Sequence, residues 1–275
     1  MTGPDAAASP VPLRIPGLHL PLRLHVHGEA DRFVSRRIRE EGIWEPYETS
    51  LVLAALQSGD VFVDVGANIG YFPVIAADRV GPRGRVLAFE PDPENYRLLN
   101  ENLELNDCRK VVTAFEAGLA DRNAAGQLFL SEDNAGDHRI FAAGCARRKL
   151  PVKLYNGSDF LRHRLQRLDL LKVDVQGAEY AVMAGLLPLL RALPRLPRII
   201  LELTPLSLRQ AGSSGRALLE LLATLGQPGW IIDHIEHRLV ACSCGELARW
   251  CDDVDAVAGD AGFMNILLGP TVPGH

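Results

Sequence analysis

Asp64, Gly66, Asn68 and Gly70 share one stretch, VFVDVGANIGYF (61–72). Glu90 closes a second stretch, RVLAFEPDP (85–93), about twenty residues further on, the spacing of two successive strand ends in a nucleotide-binding α/β unit. Gly66 permits a sharp turn and leaves the backbone open to a ligand. The helix expected after Gly70 points free N–H groups at the same crevice. A carboxylate at Glu90 is suited to accept two hydrogen bonds from a ribose diol. A pyrophosphate ligand would call for an open G-x-G-x-x-G turn. Here the turn reads G-A-N-I-G with Asp64 just upstream, a position better suited to the ammonium of a methionine moiety. The residues therefore point to S-adenosyl-L-methionine rather than NAD.

An alternation of strands and helices must position these groups. Val61–Val65 reads as a buried strand, followed by a helix that turns Ile75 and Ala76 toward a sheet. Further strands are expected at Arg85–Phe89, 111–115, 168–173 and Arg198–Leu203, with a helix over 93–106. Two late strands, 230–235 and 263–268, are expected to pair antiparallel. Such alternation implies a mostly parallel sheet covered on both faces. Upstream, residues 1–10 read as a disordered tail and LRIPGLHLPLRLHV as a short hairpin. A helix follows, running from Asp31 as N-cap to Gly42 as stop. WEPYE (44–48) leads into another helix, with Val52, Leu53 and Leu56 on one face.

This pattern resembles the FkbM family of class I S-adenosylmethionine-dependent methyltransferases. The resemblance is carried by GDVFVDVGANIGYF, GRVLAFEPDPENYRLLNENLELN, EAGLAD, LDLLKVDVQGAEYAVMAG and FMNILL, with WEPYE upstream. It implies an α/β, doubly wound, mostly parallel seven-stranded Rossmann-like sheet with an antiparallel last strand, plus a small N-terminal hairpin and helix extension. The domain layout expected is a tail at 1–10, an extension and cofactor lid at 11–50, and a methyltransferase domain at 51–270. By the same resemblance Asp64, Gly66, Asn68 and Gly70 line the methionine and ribose side, Glu90 holds the ribose hydroxyls, and Ala117 to Leu119 lie near the adenine. Gln176 departs from the family, which more often has glutamate there.

Methyl transfer from a sulfonium is an in-line displacement, so the chain must align an acceptor and, for a hydroxyl, accept its proton. Asp174 is one catalytic candidate because it ends a strand beside the first. His138 is the other, in the polar loop LSEDNAGDHRIF (130–141); its alternative is an exposed turn residue. Asn134 and Asp137 of that loop are substrate-binding candidates, a role the resemblance implies for its Asn-x-Gly segment. Glu179 is a third, with a favourable charge at a helix N-terminus as its alternative. The family's range implies as acceptor a hydroxyl on a sugar, glycan or secondary metabolite. Two competing readings are a nicotinamide-dependent oxidoreductase and a non-catalytic S-adenosylmethionine-binding module.

Bulk properties narrow the partners. The 275 residues carry a net charge of −5, and 47% are hydrophobic. No global field favours nucleic acid, and ARRKL (146–150) holds only three charges. No apolar run reaches the roughly 18 residues of a spanning helix; 181–190 is short and contains Pro188. Five cysteines, an odd number, argue against a disulfide framework and for a cytoplasmic setting. A homodimer is compatible with these properties. His234, His237, Cys242, Cys244 and Cys251 crowd one window, but no Cys-x-x-Cys knuckle is present, so no metal ligand set is assigned.

Overall fold

The computed structural model describes residues 9–28, 31–129, 149–272 and 274–275. The chain opens with β1 (Val11–Pro12) and β2 (Arg23–Leu24), a minimal antiparallel pair, then α1 (Val34–Glu41) and α2 (Pro46–Ala55). Asp31 sits just outside α1 and accepts from the N–H groups of Phe33 and Ser35. Gly42 stops the helix in a left-handed conformation, φ 73°. α2 runs continuously across the domain boundary expected at residue 50.

The parallel core follows as β3 (Val61–Val65), α3 (Tyr71–Val80), β4 (Arg85–Phe89), α4 (Pro93–Leu105) and β5 (Val112–Phe115). After β6 (Gly118–Ala120), β7 (Ala124–Phe129) and β8 (Lys149–Asn156) come α5 (Gly157–Leu161), β9 (Leu170–Val173) and α6 (Glu179–Ala192). Next are β10 (Arg198–Leu203), α7 (Pro205–Gln210) and α8 (Gly215–Ala223). The described fold closes with β11 (Gly229–Asp233), β12 (Arg238–Ala241), α9 (Cys244–Ala256) and β13 (Met264–Leu268).

The main sheet runs β12-β11-β13-β10-β9-β3-β4-β5. Its stretch from β10 to β5 is parallel, and β13 inserts antiparallel between β10 and β11. The doubly wound, mostly parallel sheet is as expected, and so is the pairing of the late strands. The sheet has eight strands rather than seven, because β11 continues through a turn into β12 and gains an edge partner. Arg238–Ala241 alternates poorly and is mostly exposed, so period-2 patterning does not reveal it. A second sheet, β6-β8-β7, stands beside the first.

One apolar layer packs Leu51, Val52, Val74 and Ile75 of α2 and α3 against Phe62, Ala88, Leu170 and Ile200. The other packs Val182, Leu186 and Leu219 of α6 and α8 against Val63, Leu171, Val173 and Leu201. Strand alternation sorts the residues between these faces. The N-terminal hairpin is held by α4, where Asn102 and Asn106 bond the backbone of His25 and Arg23.

Candidate active site

The carboxyl ends of β3, β4 and β9 open onto a partly enclosed cavity. Gly66, Asn68, Glu90, Leu119, Asp174 and Gln176 are among the residues lining it. Five of the expected site residues therefore meet in one place: Gly66, Asn68, Glu90, Leu119 and Asp174. Gly70 and Ala117 do not line the cavity. Gly70 instead serves packing, since a Cβ there would lie 2.4 Å from Leu99 Cδ1. Gly66, at φ 92°, is equally constrained from the protein side: a Cβ would stand 1.9 Å from the Asp174 carbonyl oxygen. It thus lets β3 and β9 converge at the cavity floor.

Glu90 is 5% exposed and accepts from the N–H groups of Asn68 (2.7 Å) and Asp92 (2.9 Å). Burial nevertheless raises its pKa to about 8. Asp64, at the end of β3, is 1% exposed and does not line the cavity, and neither carboxylate oxygen has a hydrogen-bond partner. Burial raises its pKa to about 7 against the pull of Lys172. Apolar side chains of Phe89, Leu119, Leu128 and Leu154 form one wall.

A polar row crosses the sheet on the α2 and α3 face, and sequence reasoning missed most of it. Asp64 pairs in register with Lys172, Lys172 with Ile200, and Glu202, two residues beyond Ile200, with Asn265. Lys172 is 3% exposed. Its Nζ lies 3.0 Å from Asp174 Oδ2, 3.6 Å from Glu48 Oε1 and 4.7 Å from the Phe72 ring centroid. Despite burial, this ammonium keeps the Asp174 pKa below the usual carboxylate value. Gln176 Nε2 donates to Asp174 Oδ1 and to Glu202; a glutamate there would add one more carboxylate instead of a donor. The signal for Lys172 is a charge inside a four-residue apolar strand, LLKV. The same signal recurs as Asp in VFVDV, Glu in RIILEL and Asn in MNILL.

Glu179 is fully buried at the start of α6, where its carboxylate accepts from the N–H groups of Val175 and Gly177. It braces the 175–177 turn and does not line the cavity. His138, Asn134 and Asp137 lie outside the described residues. Of the histidines and cysteines crowded near the C-terminus, only His234 joins a metal-competent group among the described residues, and its partners are Glu45 and Glu48.

With that geometry in place, the profile described as the Methyltransferase FkbM domain matches residues 64–228, from Asp64 through β9 to Pro228, just before β11. The chain belongs to the FkbM methyltransferase family. Methyltransferase sdnD of Sordaria araneosa is 33% identical over 163 residues, 48% of this chain and 62% of that protein. Methyltransferase 1 of Beauveria bassiana is 30% identical over 154 residues, 49% of this chain and 61% of that protein. The matches to these two thus span about three fifths of each relative's length. Hexuronic acid methyltransferase AglP of Haloferax volcanii is 26% identical over 185 residues, 64% of this chain and 72% of that protein. In this FkbM chain, no helix among the described residues is long and apolar enough to cross a membrane.

Proposed function

We propose that this FkbM-family chain is an S-adenosylmethionine-dependent O-methyltransferase acting on a hydroxyl of a sugar, glycan or secondary metabolite. The observation that carries the proposal is the cavity where Gly66, Asn68, Glu90 and Asp174 converge. Its lining fits the cofactor, with Glu90 to accept from a ribose diol and the leucine wall for a flat base; Asp64, one residue before the lining residue Val65, is the carboxylate assigned to a cationic amino group. A relative named for hexuronic acid favours a sugar acceptor.

When bound, that cofactor supplies an activated methyl group with its own leaving group. The chain must then bind the acceptor, exclude water and take a proton. Asp174, held ionised by Lys172 3.0 Å away, accepts a hydrogen bond from the acceptor hydroxyl and turns its lone pair toward the methyl group. Its lowered pKa makes it a weak base, so it orients more readily than it deprotonates. His138 is the second candidate for the proton.

Transfer of labelled methyl from S-adenosylmethionine to a panel of sugar and polyol acceptors tests the reaction. Asp174→Asn or His138→Ala is expected to abolish turnover while leaving S-adenosylhomocysteine affinity within about threefold, a difference under 1 kcal/mol. Thermal stabilisation by NADH but not by S-adenosylhomocysteine overturns the proposal.

A further inference from the structure

The polar row ends in a group of side chains that take no part in lining the cavity. Glu45 and Glu48, at the start of α2, and His234, in the turn after β11, converge from opposite ends of the chain. One carboxylate oxygen from each glutamate and one imidazole nitrogen lie within 4.8 Å of one another. This is not an exposed acidic patch. Glu48 is 0% and Asn265 5% exposed. Glu45 Oε2, Glu48 Oε1, His234 Nε2 and Asn265 Oδ1 are all buried without a hydrogen-bond partner.

The remaining atoms of the group are already committed. Asn265 Nδ2 donates to Glu48 Oε2 at 2.7 Å and to Glu45 Oε1 at 3.4 Å. One amide thus braces both carboxylates while their second oxygens keep free lone pairs. Four buried polar atoms in one spot are costly when nothing meets them. Charge balance points the same way. Lys172 supplies one ammonium, 3.6 Å from Glu48 Oε1, to a neighbourhood that also contains Glu45, Asp64, Asp174 and Glu202.

We propose that Glu45, Glu48 and His234 bind one divalent transition-metal cation, with Asn265 bracing the carboxylates. Two carboxylates with one imidazole form a mixed oxygen and nitrogen set, which suits Mn²⁺ or Zn²⁺ better than the all-oxygen preference of Ca²⁺ or Mg²⁺. The cation would tie the N-terminal helix α2 to the last hairpin. It would also stand one ion pair from Asp174, through Lys172. The site needs no methyltransferase activity to exist, so its test is independent of the reaction.

The test uses the full chain after chelator treatment, titrated with Mn²⁺ alone and followed by the electron paramagnetic resonance of the free ion. A parallel titration with Zn²⁺ is read by calorimetry. One saturable equivalent per chain is expected for at least one of the two ions, with a raised thermal midpoint. His234→Ala and Glu45→Gln are each expected to weaken binding by more than about tenfold, the loss that even an outer-shell change commonly brings. Both positions are only partly buried, so the pair guards against a single variant that misfolds. Glu236→Gln, exposed in the same turn, is expected to bind as the parent chain does. Absence of saturable uptake of both ions, or uptake unchanged in both ligand variants, overturns the assignment.

Discussion

Asp64 and Glu90, the carboxylates assigned to the proposed cofactor site, are both buried but in different states of satisfaction, and that difference sets what substitution does. Both Glu90 oxygens accept backbone N–H groups, whereas Asp64 has no hydrogen-bond partner at all. Asp64→Asn removes a charge that only a cationic ligand or Lys172 can use, so the fold tolerates it. Its expected effect is at least a tenfold loss of S-adenosylmethionine affinity by calorimetry, about 1.4 kcal/mol. Glu90→Gln is expected to match that loss. The pH dependence carries the same logic. Asp64 titrates near 7 and Glu90 near 8 when the site is free, and the ligand groups assigned to them favour the ionised forms. Affinity should therefore rise with pH between about 6 and 8, with proton release on binding. Measurement in buffers of different ionisation enthalpy detects that release, and Asp64→Asn should flatten the lower part of the rise. Lys172 behaves differently, because its ammonium faces Asp174, Glu48, Asp64 and Glu45 together. Lys172→Met should cost about 3–5 kcal/mol by chemical denaturation, as a charge pair broken from one side does.

At the level of elements, α4 links parts that look separate in the sequence. Asn102 is fully buried. It accepts from the His25 N–H and donates to the carbonyls of His25 and Ile69. One side chain thereby fixes the N-terminal hairpin and the glycine turn at the cavity. Asn102→Leu leaves three backbone groups unpaired, at about 1–3 kcal/mol for each that water does not reach. Denaturation should show at least about 2 kcal/mol lost, and cofactor affinity should fall although residue 102 does not line the cavity. No period or motif marks such a residue: an asparagine in a helix reads as surface. The glycine turn, the parallel strands and Glu90 were legible because strand ends and turn residues carry local signatures. Asp174 was legible for the same reason. The row of Lys172, Glu202 and Asn265 was not, because its unity lies in register between strands distant in sequence. In the sequence Glu48 belongs only to WEPYE within the expected cofactor lid, since its partners Lys172 and Asn265 lie 124 and 217 residues away. β8 went unread because its burial alternates irregularly.

Across the whole molecule, the buried acids make stability a function of pH. Asp64 and Glu179 have folded pKa values raised to about 7, and Glu90 to about 8. Burial is the largest cause for all three. In the unfolded chain such carboxyls titrate near 4. A raised folded pKa means that the native state holds protons the unfolded state has released. The stabilising contribution is therefore complete below about 4 and is lost as pH rises through 7 to 8. Asp174 is shifted downward by Lys172 and acts oppositely, losing its contribution as pH falls below the ordinary carboxylate range. These opposed windows place the stability maximum of the ligand-free chain on the acid side of neutrality. Chemical denaturation at pH 5.5 and pH 8.5 should show a fall of at least about 2 kcal/mol across that interval, allowing for incomplete shifts. Glu90→Gln should remove much of the slope, because a neutral amide can keep only part of the N–H bonding and never ionises. Saturating S-adenosylhomocysteine should flatten it as well, since the ligand groups that meet Asp64 and Glu90 stabilise the carboxylates that burial alone disfavours. A slope unchanged by both would mean that Glu90 already ionises freely in the folded chain, and that the cavity is wetter than its geometry implies.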